Sequence, residues 1–282
     1  RYAGYYWDRK TQYYYLQARY YDPRNGRFLS ADTFRGEIGN PLSLHLYAYS
    51  LNNPVNYVDP SGFKTISVYF LAGVGTWQSG DMFKAAKEDI IKRYQDMGYD
   101  KIHVADVYPY GTMEECGCDQ DATKQMAYTI LQALVVNNDM DTPYKYTVGG
   151  NNAFESIKED YDYFGGGDIV LIGHSGGGIA AYDAAQLLND AGYNVSFIVQ
   201  VGSPKEPIKK KWRDKVGYIE KKGFFGDGIT AWGMTYFQRP GYIASVDIVG
   251  GHPYYFDPNM KDDNGVSNLS KTMDQIWDWI KP

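Results

Sequence analysis

Cysteine is scarce in this sequence: two among 282 residues, Cys116 and Cys118, separated by one glycine. A Cys-x-Cys pair strains a disulfide and offers only two metal ligands. The two therefore read as simple loop cysteines; no metal or other cofactor is expected, and the redox compartment stays open. No apolar run approaches the roughly 18 residues that a membrane-spanning helix needs. Basic residues do not dominate either. The formal net charge is −6, the isoelectric point is about 5.3, and no basic stripe appears. That balance argues against nucleic acid as the main partner. No signal-peptide pattern follows Arg1, so the chain reads as a piece of a longer polypeptide. Histidine is also rare, at four residues, which narrows the search for a catalytic base.

Tyrosine is abundant: 28 residues, concentrated near the N-terminus. Tyr5-Tyr6-Trp7, the run Tyr13 to Tyr21, and Arg27-Phe28-Leu29 alternate with Asp8-Arg9-Lys10-Thr11 and Asp22-Pro23-Arg24-Asn25-Gly26. Aromatic runs broken by Asp-Pro and Asn-Gly turns predict β-hairpins. From Lys64 the texture changes. Apolar strands are expected at residues 65–72, 102–107, 168–172, 195–201, 216–220 and 243–249. Helical periodicity falls between them, with Phe83, Ala86, Ile90, Tyr94 and Met97 on one face after an Asp81 N-cap. Further helices are expected within 121–137, within 152–163, at 178–191 and at the C-terminus. Strands alternating with helices predict an α/β domain, a mostly parallel sheet with helices on both faces. The small tyrosine-rich β segment precedes it.

Gly173-His174-Ser175-Gly176-Gly177 follows the strand Asp168-Ile169-Val170-Leu171-Ile172 and opens a helix. Strand, G-x-S-x-G, helix resembles the nucleophile elbow of the α/β-hydrolases. The sharp turn lifts the Ser175 hydroxyl off the sheet, and flanking glycines leave room for it. One oxyanion donor is expected at the Gly176 amide, the other in Gly73-Val74-Gly75-Thr76, near Val74 or Gly75. Among the histidines, His45 lies in the tyrosine-rich segment, His103 in an early strand, and His174 inside the elbow, where it packs or shapes the turn. His252 follows the last strand and precedes the final helix, the place where this superfamily carries its base. The acid has four candidates: Asp214, Glu220, Asp227 and Asp247. Asp227 is favoured because it follows a strand between glycines, and Asp247, inside the last strand, is the reserve.

Residues 223–241 carry Phe224, Phe225, Trp232, Met234, Tyr236 and Phe237, readable either as core or as an acyl-binding wall. Lys209, Lys210 and Lys211 read as a solvated charge run, with contact to anionic headgroups as the alternative. Residues 64–282 together resemble lipases and esterases of the α/β-hydrolase superfamily.

A second resemblance covers residues 1–63. Ala18-Arg19-Tyr20-Tyr21-Asp22-Pro23, Gly26-Arg27-Phe28-Leu29-Ser30-Ala31-Asp32, Leu46-Tyr47-Ala48-Tyr49, Asn52-Asn53-Pro54-Val55 and Val58-Asp59-Pro60-Ser61-Gly62 are similar to the Rhs-repeat-associated core of Rhs and YD-repeat proteins. That resemblance implies a domain boundary after residue 63, an upstream shell in the same polypeptide, and a C-terminal cargo that is often a toxin. It also implies self-cleavage between Phe63 and Lys64 by an aspartic dyad, Asp32 and Asp59. Composition alone would read those two as turn caps, and residues 33–43 lengthen the usual link between the motifs. The combined expectation is a serine hydrolase of lipase, phospholipase or esterase type. It acts on lipid or another ester, is secreted or delivered to a target cell, and is held in check by an immunity protein. The rival expectations are an inactive hydrolase-like binding module, or a peptidase or acyltransferase using the same triad.

Overall fold

Aromatic side chains near the N-terminus sort onto the two faces of a small antiparallel sheet. Its strands are β1 (Tyr6–Asp8), β2 (Tyr13–Leu16), β3 (Arg19–Asp22) and β4 (Arg27–Phe28), in that order across the sheet. Directly paired residues share a face. Trp7 pairs Tyr14, Tyr14 pairs Tyr21, and Tyr21 pairs Phe28. Tyr49 closes over that row with its ring centroid 4.5 Å from that of Tyr21, and Leu16, Tyr21, Phe28 and Tyr49 are buried. The opposite row, Tyr6, Tyr15 and Tyr20, is exposed. The run expected at 13–21 is thus two strands. The turn at 22–26 is built by Asp22, whose carboxylate accepts from the Arg24 amide at 2.9 Å and from Asn25 Nδ2 at 2.8 Å. Gly26 supplies the positive φ of 66°.

These residues belong to the computed structural model of the chain, which describes residues 6–16, 19–31, 45–52, 65–75, 82–99, 101–111, 147–223, 228–230 and 240–282. The chain divides into two units, one of Arg1–Thr65 with Tyr94–Ile102 and Pro282, the other of Ile66–Arg93 with His103–Lys281.

The second unit is an α/β-hydrolase fold around a six-stranded, mostly parallel sheet. Its strands are β5 (Thr65–Leu71), β6 (Lys101–Val107), β7 (Asp168–His174), β8 (Val195–Val201), β9 (Val216–Lys221) and β10 (Tyr242–Val246), ordered β10-β9-β8-β7-β5-β6. The described helices are α1 (Lys84–Asp96), α2 (Val148–Tyr163), α3 (Gly176–Asp190) and α4 (Asn268–Ile280). Alternation along each strand feeds two cores. Tyr69, Leu71, Ile169, Leu171 and Ile198 pack with α2 and α3 residues such as Ile157, Ala180 and Leu188. On the other face, the Phe70 ring meets Phe83 and Phe256 at 5.2 and 6.2 Å, and the α4 residue Trp279 lies against Gly217. Helices therefore cover both faces, as the alternation of elements requires.

The sheet order reverses between β5 and β7. The chain goes outward from β5 to β6, then returns to β7 and winds the other way. Ligand crevices in such sheets form beyond the carboxyl ends of the strands at this switch point. Leu71 and His174, the last residues of β5 and β7, therefore mark the place to look.

Three elements differ from the sequence expectation. Helix α2 starts at Val148 rather than near 152, with Gly149 and Gly150 in its first turn. A Cβ on Gly149 would lie 2.5 Å from the Tyr110 hydroxyl, and one on Gly150 would lie 2.3 Å from Thr147 Oγ1. Close packing outweighs the low helix propensity of glycine here. Strand β10 ends at Val246, where its last partner is Lys221 at the end of β9. Asp247 thus follows the strand and is exposed, rather than pointing into the sheet. Helix α1 buries Phe83, Ala86, Ile90 and Tyr94 as expected, but Met97 lies beyond its end and is exposed. The helix expected within 121–137 lies outside the described residues, as does Asp81.

Candidate active site

Ser175 sits between β7 and α3 with φ 55° and ψ −131°. That conformation is sparsely populated for any residue with a Cβ and persists only where the surroundings hold it. Glycines on both sides make the turn sterically possible. A Cβ on Gly173 would lie 2.3 Å from the Gly177 carbonyl oxygen, and one on Gly177 would lie 2.2 Å from that of Leu71. Strand, turn and helix approach at backbone-to-backbone contact. The Ser175 amide donates to the Val201 carbonyl at 3.0 Å, and the Tyr110 hydroxyl donates to the Gly176 carbonyl at 3.2 Å.

The loop after β5 approaches the same serine. A Cβ on Gly73 would lie 2.7 Å from Ser175 Cβ and 3.2 Å from its Oγ. The residue of this loop that touches the nucleophile position is Gly73, next to the expected Val74 and Gly75. Val74 instead packs its side chain against the α2–α3 core, while Gly75, at φ 71°, has open space where a Cβ would be. The amide of Gly176 is the first in α3, at the positive end of that helix's dipole.

His252 opens a 3-10 turn, His252–Tyr254, six residues after β10. It is brought to the elbow by His174, the residue immediately before Ser175. The two imidazoles stack with centroids 4.7 Å apart and planes 28° apart. His174 Nε2 lies 2.9 Å from the His252 carbonyl oxygen. A carbonyl only accepts, so that nitrogen carries a proton and donates.

The loop that carries His252 is gripped by its backbone. Asn268, fully buried at the start of α4, accepts from the Val249 amide at 2.8 Å and donates to the Val249 and Tyr254 carbonyls at 2.8 and 2.9 Å. Thr272 Oγ1 donates to the Tyr255 carbonyl at 2.9 Å, and Lys271 Nζ to that of Asp247 at 2.6 Å. Lys221 Nζ donates to the Gly250 carbonyl. Gly250, at φ 78°, provides the turn that these anchors fix. Nothing in the local sequence marks Asn268 as an anchor.

The remaining sequence candidates fall elsewhere. Asp227 lies outside the described residues, in the connection between β9 and β10. Asp32, Asp59, Phe63, Lys64, Cys116 and Cys118 also lie outside them, as do Phe224, Phe225, Trp232, Met234, Tyr236 and Phe237. His103 is engaged away from the elbow: its Nε2 meets the Asp160 carboxylate, and its ring stacks on Phe164 at 5.9 Å. The Tyr69 hydroxyl donates to the same carboxylate at 2.9 Å, and burial beside Asp160 holds its pKa far above the usual range. Lys210 and Lys211 are exposed on the 3-10 turn Lys210–Lys215, which leads into the amino end of β9. That is the sheet end opposite Ser175, and Trp212, the residue that follows them, is buried in the core.

Two carboxyls that the sequence did not single out lie behind the elbow helix. Asp183 on α3 and Glu206 after β8 are both buried. Burial pushes Asp183 up to about 7, against a bond from Thr147 and the charge of Lys209. Burial and then the Asp183 charge push Glu206 well above the ordinary carboxyl range, although Gln200 Nε2 donates to it at 2.5 Å. The same Gln200 nitrogen also donates to the Gly178 carbonyl at 3.0 Å, tying the acids to the first turn of α3. Among the described residues, no helix is long and apolar enough to cross a membrane, and no group of three or more potential metal ligands occurs.

No family model matches the chain. Over 62 residues, 22% of this chain, it is 58% identical to the tRNA nuclease WapA of Bacillus subtilis strain 168. Over 87 residues it is 48% identical to the tRNA(Glu)-specific nuclease WapA of Bacillus subtilis subsp. natto. These stretches span only 3% and 4% of those proteins' lengths. Over 68 residues it is 41% identical to the uncharacterised YlbH of Escherichia coli K12, covering 27% of that protein. Among solved structures, the NocB thioesterase domain in covalent complex with a fluorophosphonate nocardicin G analogue aligns over 78% of this chain and 96% of its own. The identity there is 14% and the TM-score 0.42. An acetyl xylan esterase aligns over 77% and 98%, with 14% identity and TM-score 0.36. With scores this low, the fold assignment rests on the sheet order and the elbow.

Proposed function

We propose that residues 64–282 form a serine ester hydrolase of the lipase, phospholipase or esterase type. Ser175 is the nucleophile, His252 the base and Asp227 the acid that orients it. The Gly176 amide and the loop of Gly73, Val74 and Gly75 hold the oxyanion. One observation carries this reading: a strained serine at the switch point, with the loop of His252 bound to the residue next to it. Backbone strain of this kind clusters at functional sites, where the surrounding structure over-determines it.

The chemistry follows from those roles. Ser175 Oγ forms a bond to the ester carbonyl carbon while its proton passes to His252, and the carbonyl electrons move to oxygen. Backbone N–H groups fixed by α3 and the β5 loop stabilise that oxyanion without reorganising. Collapse breaks the bond to the leaving alkoxide, which takes the proton from the imidazolium. Water then repeats the sequence on the acyl-enzyme, releasing the acid and restoring Ser175.

The tyrosine-rich segment, residues 1–63, is proposed as the end of an Rhs-type shell, with residues 64–282 as its effector cargo. Curated relatives named for different tRNA specificities share a stretch of 62 or 87 residues with this chain, a length that agrees with a common segment accompanying different enzymatic ends. Asp32 and Asp59 would add water across the Phe63–Lys64 amide, freeing the cargo. Delivery to a target cell and an immunity partner belong to the same reading. Hydrolysis of p-nitrophenyl esters by the full chain, lost in Ser175→Ala, tests the enzyme. Intact mass with and without Asp59→Asn tests the cleavage, and an uncut chain in both would end it.

A further inference from the structure

We infer that His174 is a positioning residue for His252, an inference resting on the reading of Ser175 and His252 as nucleophile and base. His174 is the last residue of β7, a central strand, and its backbone pairs with Val201 of β8. Its side chain is buried and reaches forward to the His252 loop rather than into the sheet core. Two contacts hold the partner histidine in different ways. The Nε2–H to carbonyl bond of 2.9 Å fixes the His252 peptide plane, and the stacked rings limit the tilt of the His252 imidazole. Tyr255 and Phe256 wall the other sides of the His174 ring, with centroids at 5.9 and 6.2 Å.

The loop needs such a tie. Gly250, at positive φ, and Gly251 precede His252 directly, and glycines leave the backbone freest where the base must be held most firmly. Asn268, Lys271 and Thr272 grip Val249, Tyr254, Asp247 and Tyr255, on either side of His252. Only His174 among these anchors touches His252 itself, and it does so from the residue bonded to the nucleophile. Ser175 and His252 are thereby referenced to one rigid point. Distances that matter to catalysis at the level of 1 Å, worth about 100-fold in rate, are set by this tie.

Two substitutions separate the tie from packing. His174→Phe keeps an aromatic ring in the same walls and removes the Nε2–H donor to the His252 carbonyl. His174→Gln gives up the ring but carries an amide N–H. With p-nitrophenyl butyrate, His174→Phe is expected to lower kcat by about 10- to 100-fold with KM within about twofold, and His174→Gln to recover most of the loss. Imidazole NMR gives a readout independent of turnover, since the chain has only four histidines. The His252 ring signals should shift and broaden in His174→Phe and return towards wild type in His174→Gln. Wild-type kcat together with unchanged His252 signals in His174→Phe would overturn the inference. If wild-type protein hydrolyses no ester, the enzymatic reading falls, and the NMR comparison alone decides whether His174 holds His252.

Discussion

Replacing Asp183 with asparagine should make the hydrolase unit more stable at neutral and alkaline pH and remove a pH slope from its unfolding. Asp183 and Glu206 are both buried behind the elbow helix, with Thr147, Gln200 and Lys209 as the polar groups that act on them. Both carboxyls have their protonation favoured in the folded state. Unfolded, they ionise in the ordinary range; folded, Asp183 keeps its proton until about pH 7. Between those limits the unfolded chain binds fewer protons than the native one, so stability falls as pH rises. The slope is about 1.4 kcal/mol per pH unit for one proton, or about 4 kcal/mol over three units as an upper bound. Asparagine keeps an acceptor for Thr147 and cannot ionise. Urea melts of the full chain at pH 5, 6, 7 and 8 measure the effect. The stability difference, Asp183→Asn minus wild type, should grow from pH 5 to pH 7 and level off towards pH 8, once folded Asp183 has also ionised. A difference independent of pH, or one that favours wild type more strongly at pH 8, would refute the linkage.

Three further outcomes follow from the site. Gly73→Ala should cut ester hydrolysis by about 100-fold while the protein remains folded by circular dichroism, because the new Cβ would lie 2.7 Å from Ser175 Cβ. Ser175→Gly should abolish hydrolysis yet raise stability by about 1 kcal/mol in a denaturant melt, since glycine relieves the φ 55° strain. Asn268→Ala should lower both activity and stability, the latter by about 2 kcal/mol, because three backbone bonds to the His252 loop are lost.

The legible parts of the sequence were local. Aromatic runs broken by Asp-Pro and Asn-Gly turns marked the hairpins, and apolar runs with periodic faces marked the six strands and helices α1, α3 and α4. Ser175 was legible because strand, glycine-flanked serine and helix are adjacent in the chain. The arrival of the His252 loop beside that turn was legible from its order relative to the last strand. What escaped was long-range. The start of α2 at two glycines depends on Tyr110 and Thr147, and the exposure of Asp247 depends on where β9 runs out. The bond from His174 joins residues 78 apart, and the proton-holding pair Asp183 and Glu206 lies 23 positions apart in the chain yet meets behind α3. Periodicity cannot register such contacts, because it reports only which face a residue occupies and not what arrives there.

The central claim is that Ser175 is a nucleophile activated by His252. Fluorophosphonate labelling of the full chain, followed by peptide mass mapping, tests it most directly. One adduct per chain on Ser175 is expected, with none in Ser175→Ala and labelling slowed by at least about 100-fold in His252→Ala. Absence of any adduct on wild-type protein, or labelling at Ser175 that proceeds at the wild-type rate without His252, would contradict it.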